Sequence, residues 1–144
     1  MRRVLSPGGR ITVGVWRSAE ENTLFGQLNR VAEGFVGPIH DVRHSFADAD
    51  ALRGLLLQSG FQNVEVASVT METCFDIDPS LVARMNAMAV IGMSERGKGL
   101  TDDERKSVTA AIVEASLPEM ARFTAAGTIR FQTSSNVATA RLTG

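Results

Sequence analysis

Residues 10–16 read RITVGVW. Apolar Ile11, Val13 and Val15 alternate with Thr12, Gly14 and Trp16, the two-residue period of a strand. Both faces tolerate burial, as in a sheet covered on two sides. Pro7-Gly8-Gly9 marks a turn ahead of it. From Ser18 the period lengthens. Leu24, Phe25, Leu28, Val31, Ala32 and Phe35 recur at helical spacing, Ser18 and Glu21 have the spacing of a capping box, and Gly37-Pro38 stops the helix. A polar loop, 39–46, carries His40 and His44.

Asp48 is placed to cap the next helix, whose apolar positions are Ala51, Leu52, Leu55 and Leu56. Gly60 suits a left-handed helix end, with Phe61 folding back onto the helix. Residues 64–75, VEVASVTMETCF, read as a long strand rich in β-branched residues. Pro79 after Asp78 opens a helix carrying Leu81, Val82, Met85, Met88, Ala89 and Ile91, ending near Gly92. Residues 94–99 read as a polar loop. Thr101 and Glu104 have capping-box spacing, and a helix to about Ala126 follows. Its expected inner side is Val108, Ile112, Ala115, Met120 and Phe123, with Pro118 expected to kink or restart it. Residues 128–142 read as a strand broken at Ser134-Ser135-Asn136. The order strand, helix, helix, strand, helix, helix, strand predicts a single domain over 1–144, α/β or α+β and here taken as α/β, with three strands and four to five helices.

Composition narrows the function classes. The chain has 144 residues, 44% hydrophobic and 22% charged, which excludes disorder and allows one core. Fifteen basic and 16 acidic residues leave a net charge of −1, so nothing draws the whole chain toward nucleic acid or an anionic membrane. The arginines are scattered, with no basic cluster interleaved with aromatics. The N-terminal MRRVLSPGGR lacks the apolar core of a secretory signal, and no apolar run approaches membrane-spanning length. One cysteine, Cys74, makes no internal disulfide or cysteine-based metal site. These points give a cytoplasmic expectation.

Candidate chemistry is thin. His40 and His44 stand at i,i+4, but without a third defined ligand they read as loop histidines, and no metal is expected. Cys74, among apolar strand neighbours, reads as a buried, inert thiol. Gly97-Lys98-Gly99 lacks phosphate-loop spacing and reads as a connector. Glu20, Glu21 and residues 102–104 are acidic first turns that complement helix dipoles. Met71, Met85, Met88, Met93 and Met120 sit at spacings typical of core, with a flexible pocket as the alternative. Trp16 ends the first strand, where open α/β sheets bind ligands; it either stacks on a ligand or, as expected, packs under the first helix.

Arg3-Val4-Leu5-Ser6-Pro7-Gly8-Gly9-Arg10 with ITVGVW resembles the segment before strand five, and that strand, in class I S-adenosylmethionine-dependent methyltransferases. Trp16-Arg17-Ser18 is similar to the ubiquinone/menaquinone-biosynthesis-like branch. Leu52-Arg53, then Ser59-Gly60-Phe61 and Val64, resembles the family's helix and sixth strand, and residues 136–141, NVATAR, its last strand. The resemblance implies a partial Rossmann-like sheet made of the last three strands, with the final strand central and antiparallel to both neighbours. It implies that residues 18–37 and 79–126 are helical insertions forming a substrate lid. It offers Trp16, Leu24, Phe25, Leu28, Met85 and Met88 as lining of an apolar acceptor pocket.

The family's donor-binding elements are a glycine-rich turn after strand one and acidic residues after strands two and three. Close backbone approach requires glycine, and a ribose diol prefers a carboxylate. The matched region starts after those elements. S-adenosylmethionine is therefore the cofactor by resemblance only, this chain alone is not expected to bind it, and no catalytic residue is assigned. The reading is a methyltransferase polypeptide for a small-molecule acceptor, truncated and not competent alone. The alternative is a non-enzymatic, self-associating module able to hold an apolar small molecule. A third reading is a different small α+β fold, such as a dimeric ligand-binding barrel, in which 128–142 would not be central. Without the earlier strands, strand 10–16 is left as an edge and one sheet face is bared, which predicts a homodimer through either.

Overall fold

The structure, a computed structural model, describes residues 2–142. Its elements are β1 (Arg10–Trp16), α1 (Thr23–Val36), α2 (Ala49–Gln58), β2 (Phe61–Phe75), α3 (Pro79–Ile91), α4 (Glu95–Lys98), α5 (Asp102–Phe123), β3 (Thr124–Ala125) and β4 (Thr128–Leu142). Short 3-10 turns cover Arg2–Val4 and Val42–His44. No helix of the described residues is long and apolar enough to cross a membrane.

The sheet order is β1-β4-β2, so the final strand lies between the other two long strands. β1 pairs antiparallel with β4, Val13 opposite Ala138 and Trp16 opposite Ser135. Cross-strand bonds show β2 antiparallel to β4 as well: Ser68 Oγ donates to Asn136 Oδ1 (2.8 Å), the Thr70 and Ser134 hydroxyls meet at 2.8 Å, and Thr128 Oγ1 donates to Asp76 Oδ1 (2.7 Å). The fold is mixed α/β with a central antiparallel last strand, as the sequence led us to expect.

The chain divides into two compact units, Met1–Ser18 with Arg43–Met71 and Ser134–Gly144, and Ala19–Val42 with Glu72–Thr133. The first unit packs α2 on one face of the sheet. Its core is Ile11, Leu52, Leu56, Phe61, Val64, Ala138, Ala140 and Leu142. Asp48 caps α2 by accepting from the N–H groups of Asp50 (2.7 Å) and Ala51 (3.0 Å). Gly60 takes φ 82°, and Phe61 folds back onto Leu52 and Leu56. The Pro-Gly-Gly turn has a specific reason as well. Gly8 has φ 74°, and a Cβ on Gly9 would stand 2.8 Å from the Ser6 carbonyl oxygen.

The second unit is helical. Leu24, Leu28, Val82, Ala83, Met120, Ile129 and Phe131 form one cluster, and Ala32, Val36, Ala87, Val90, Ile91 and Ile112 another. Phe131 receives Phe25 and Phe75 edge-on, with ring centroids 5.6 and 5.3 Å away. Asp78 caps α3 with Pro79 in its first turn, and Thr101 and Glu104 complete the capping box of α5.

Several expectations are corrected. α1 starts at Thr23 with Asn22 at the cap and no side-chain capping bond, so Ser18 and Glu21 do not form its capping box. A Cβ on Gly26 would meet the Ala19 carbonyl oxygen at 2.4 Å, showing how closely the preceding turn crosses the helix. Residues 95–98 form α4, because Ser94 Oγ accepts from the Gly97 N–H at 2.9 Å and caps a short turn. β2 begins at Phe61, and β4 is continuous through Ser134-Ser135-Asn136. The hydroxyl and amide groups that suggested a break are bonded across the sheet instead. α5 runs through Pro118 without a restart and ends at Phe123; Ser116 is buried where Ala115 was expected, its Oγ donating to the Ile112 carbonyl at 2.7 Å. β3 and β4 then make a hairpin through Ala126-Gly127, both at positive φ.

Candidate functional site

The six pocket candidates fall into three environments. Leu24 and Leu28 are fully buried in the helical core, and Phe25 packs beside them against Phe131. Met85 and Met88 lie on the outer face of α3, 62% and 65% exposed. Trp16 closes β1 at 44% exposure, so it is not packed away beneath a helix. In the helical unit, therefore, the leucines hold the fold while the methionines stand on its surface.

Met88 borders a groove of about 530 Å³ between α3 and α5, lined by Arg84, Met88, Asp102, Arg105, Lys106, Thr109 and Ala110. Arg105 is held in place by donating to the Gly97 carbonyl (2.9 Å), and Lys106 pairs with Asp103 (2.9 Å). The groove sets the apolar Met88 and Ala110 beside two guanidinium groups, Arg84 and Arg105, and the Asp102 carboxylate.

A second cleft, about 260 Å³, lies beside α1 and is lined by residues including Asn29, Arg30, Glu33 and Asp41. Asn29 Nδ2 donates to Asp41 Oδ2 (2.9 Å), and Asn86 Nδ2 donates to Asn29 Oδ1 (3.1 Å). Asn86 is 3% exposed, and its own Oδ1 has no partner. Buried amides aligned in a chain can orient a hydrogen-bonding ligand, but they supply no nucleophile or proton-transfer group. The sequence reading missed this cluster. Its signal was available: Asn29 and Asn86 are polar residues on the apolar stripes of two helices.

The remaining candidates resolve plainly. The His40 backbone N–H bonds to the Met93 carbonyl, and His44 Nδ1 meets the Arg17 carbonyl, so both are held by local backbone contacts. No group of metal-ligating side chains occurs among the described residues. Cys74 is exposed, contrary to expectation, because its side chain lies on the face of β2 opposite Phe75, which joins the helical core, and shares that face with the exposed Glu72. Arg130 Nη1, brought alongside by β4, lies 3.2 Å from its Sγ.

The described residues do not fit S-adenosylmethionine. The carboxylates that end β2 are engaged, Asp76 by the Thr128 hydroxyl (2.7 Å) and Asp78 by the Ser80 N–H (2.7 Å). The positive-φ glycines Gly8, Gly37, Gly60 and Gly127 precede strands or end helices, and none forms a glycine-rich turn leading from a strand into a helix.

No family model matches the chain, and no curated protein matches it. Among solved structures, it is similar to a protein from Bacillus halodurans C-125 provisionally named a methyltransferase, with 16% identity and a TM-score of 0.42. That alignment covers 99% of this chain and 60% of the other, so the chain spans less than two thirds of that protein's length.

Proposed function

We propose that this chain supplies the acceptor side of a class I S-adenosylmethionine-dependent methyltransferase fold, acts on a small-molecule acceptor, and does not transfer a methyl group by itself. The observation that carries the reading is the strand order: β4, last in sequence, lies between β1 and β2 and runs antiparallel to both. The sequence resemblance required that arrangement, whereas a ligand-binding barrel sharing only the local patterns would place residues 128–142 elsewhere. The Pro7-Gly8-Gly9 turn and the Gly60-Phe61 helix end support it, each held by geometry that glycine alone satisfies cheaply. The groove beside Met88 and the cleft at Asn29 are the places for an acceptor, and the methyl donor is held by residues other than these.

The test is calorimetric titration of S-adenosylmethionine into this chain, and into the chain extended by whatever its genomic reading frame encodes upstream. We expect no heat from the first and micromolar binding from the second. Micromolar binding by the chain alone would overturn its dependence on outside residues. An upstream frame without a strand and glycine-rich turn, or an extended chain that does not bind, would overturn the methyltransferase reading.

A further inference from the structure

The sheet ends at β2 on one side, and among the described residues no strand pairs with the outer edge of β2. The methyltransferase reading sets its earlier strands beyond β1, at the opposite edge, so β2 borders the sheet with or without them. Ala67, Ser68, Val69, Thr70 and Met71 are consecutive exposed positions of β2, Val69 by 42% and Met71 by 59%. The run holds no charge, proline, glycine or positive φ, so it lacks the devices that keep an edge strand from pairing.

Which groups face that edge follows from β4. Its Ser134 carbonyl accepts from the Arg17 N–H (3.0 Å), and its Leu142 N–H donates to the Gly9 carbonyl (2.8 Å). Even-numbered residues of β4 therefore turn their backbone groups to β1, and odd-numbered ones to β2. Ser68 lies opposite Asn136 and Thr70 opposite Ser134, which sets Val69 opposite Ser135. Val69 thus bonds to β4, as do Ala67 and Met71, whereas Ser68 and Thr70 present their N–H and C=O groups outward. The side chains divide in the same way. Ala67, Val69 and Met71 form an apolar row on one face. Ser68 and Thr70 carry hydroxyls on the other, bonded to Asn136 and Ser134 at 2.8 Å each.

We propose that this run pairs with the same run of a second copy, antiparallel and centred on Val69, joining two sheets edge to edge. Self-complementarity selects the register. With Val69 opposite Val69, Ala67 faces Met71 on each side of the two-fold axis, so every apolar side chain of the run meets another. Ser68 faces Thr70, a hydrogen-bonded pair made twice, so the outward backbone groups of both copies find partners. Centring on Thr70 would set Ala67 against Thr73, and centring on Ser68 would set Met71 against Glu65. The pairing uses the edge farthest from the proposed donor side and goes beyond the methyltransferase reading.

The test combines mass with cross-linking. Light scattering of the intact chain at micromolar concentration should give twice the 15.5 kDa chain mass. The chain extended upstream should dimerise too, its added strands lying at the other edge. Val69→Cys in a Cys74→Ser background should form an intermolecular disulfide on mild oxidation. Non-hydrogen-bonded antiparallel pairs hold their Cα atoms about 4.5 Å apart, within disulfide range. Met71→Cys in the same background should not, since it faces Ala67; mixed with Ala67→Cys it should form the disulfide between the two. Val69→Lys and Val69→Glu each set like charges directly opposite and should raise the dimer dissociation constant about fivefold or more, while their equimolar mixture should pair again. A monomeric mass would overturn the proposal. So would an extended chain that is monomeric where the shorter one dimerises, a dimer in which Val69→Cys fails to cross-link, or one indifferent to Val69→Lys. Should a charged Val69 variant fail to fold, the Val69→Cys and Met71→Cys pair still decides. None of these outcomes alters the S-adenosylmethionine titration, so the two readings fail separately.

Discussion

Asn86 Nδ2 donates to Asn29 Oδ1 at 3.1 Å, joining α3 to α1 through two amides that are both buried. Asn29 passes the chain of bonds to Asp41, while Asn86 Oδ1 is left without a partner. A buried, incompletely satisfied amide is costly, and removing one member strands the other. Asn86→Leu and Asn29→Leu should each lower stability by about 1–3 kcal/mol. The double variant should recover part of the sum, because no amide is then left unpaired. Denaturant unfolding of the four proteins measures the coupling; strict additivity would show that the two amides act independently.

Leu28 and Met88 came from the sequence as equal pocket candidates, yet Leu28 is 1% exposed and Met88 65%. Leu28→Ala should cost about 2–5 kcal/mol through a cavity in the helical core. Met88→Ala should change stability by less than about 0.5 kcal/mol. Thermal unfolding checks both, and a large loss at Met88 would remove it as a surface available to a ligand.

Two glycines should respond with opposite sign. A Cβ on Gly97 would stand 1.8 Å from the Ile91 carbonyl oxygen, while one on Gly34, inside α1, would meet nothing within 4 Å. Gly97→Ala should cost about 2 kcal/mol or more, since backbone must shift. Gly34→Ala should add up to about 1 kcal/mol from helix propensity alone. Equal effects in a melting comparison would contradict the packing of α4 against the end of α3.

Acid should weaken the helix starts. Hydrogen bonds from Ser80 hold the Asp78 carboxyl below its ordinary range, and those from Thr101 do the same for Glu104. A carboxyl whose folded pKa is depressed stabilises the fold above its unfolded pKa, and that contribution fades as pH falls through the folded value. Tm should therefore decline below about pH 4. Asp78→Asn and Glu104→Gln should melt lower than the parent at neutral pH and converge with it in strong acid. A gap that persisted unchanged in acid would show that their charge is not involved.

The sequence alone determined what depends on neighbours along the chain. β1 was bounded to the residue, and the caps at Asp48, Asp78 and Thr101 and the left-handed turn at Gly60 followed from local hydrogen bonding and steric limits. The strand order came from a family resemblance and agrees with the fold. What only tertiary structure decided depends on partners distant in sequence. Ser134 and Asn136 looked like a strand break until Thr70 and Ser68 satisfied them across the sheet. Cys74 looked buried because its neighbours are apolar, but the helices cover the face that Phe75 occupies and leave the Cys74 face exposed, where β4 sets Arg130 beside it. Met85 and Met88 share a periodic pattern with core residues such as Val82; which side of α3 is covered was settled by where α1 and α5 pack. Periodicity says that a helix has an apolar side, but burial is a property of the assembled chain, because only a packed neighbour removes a side chain from water.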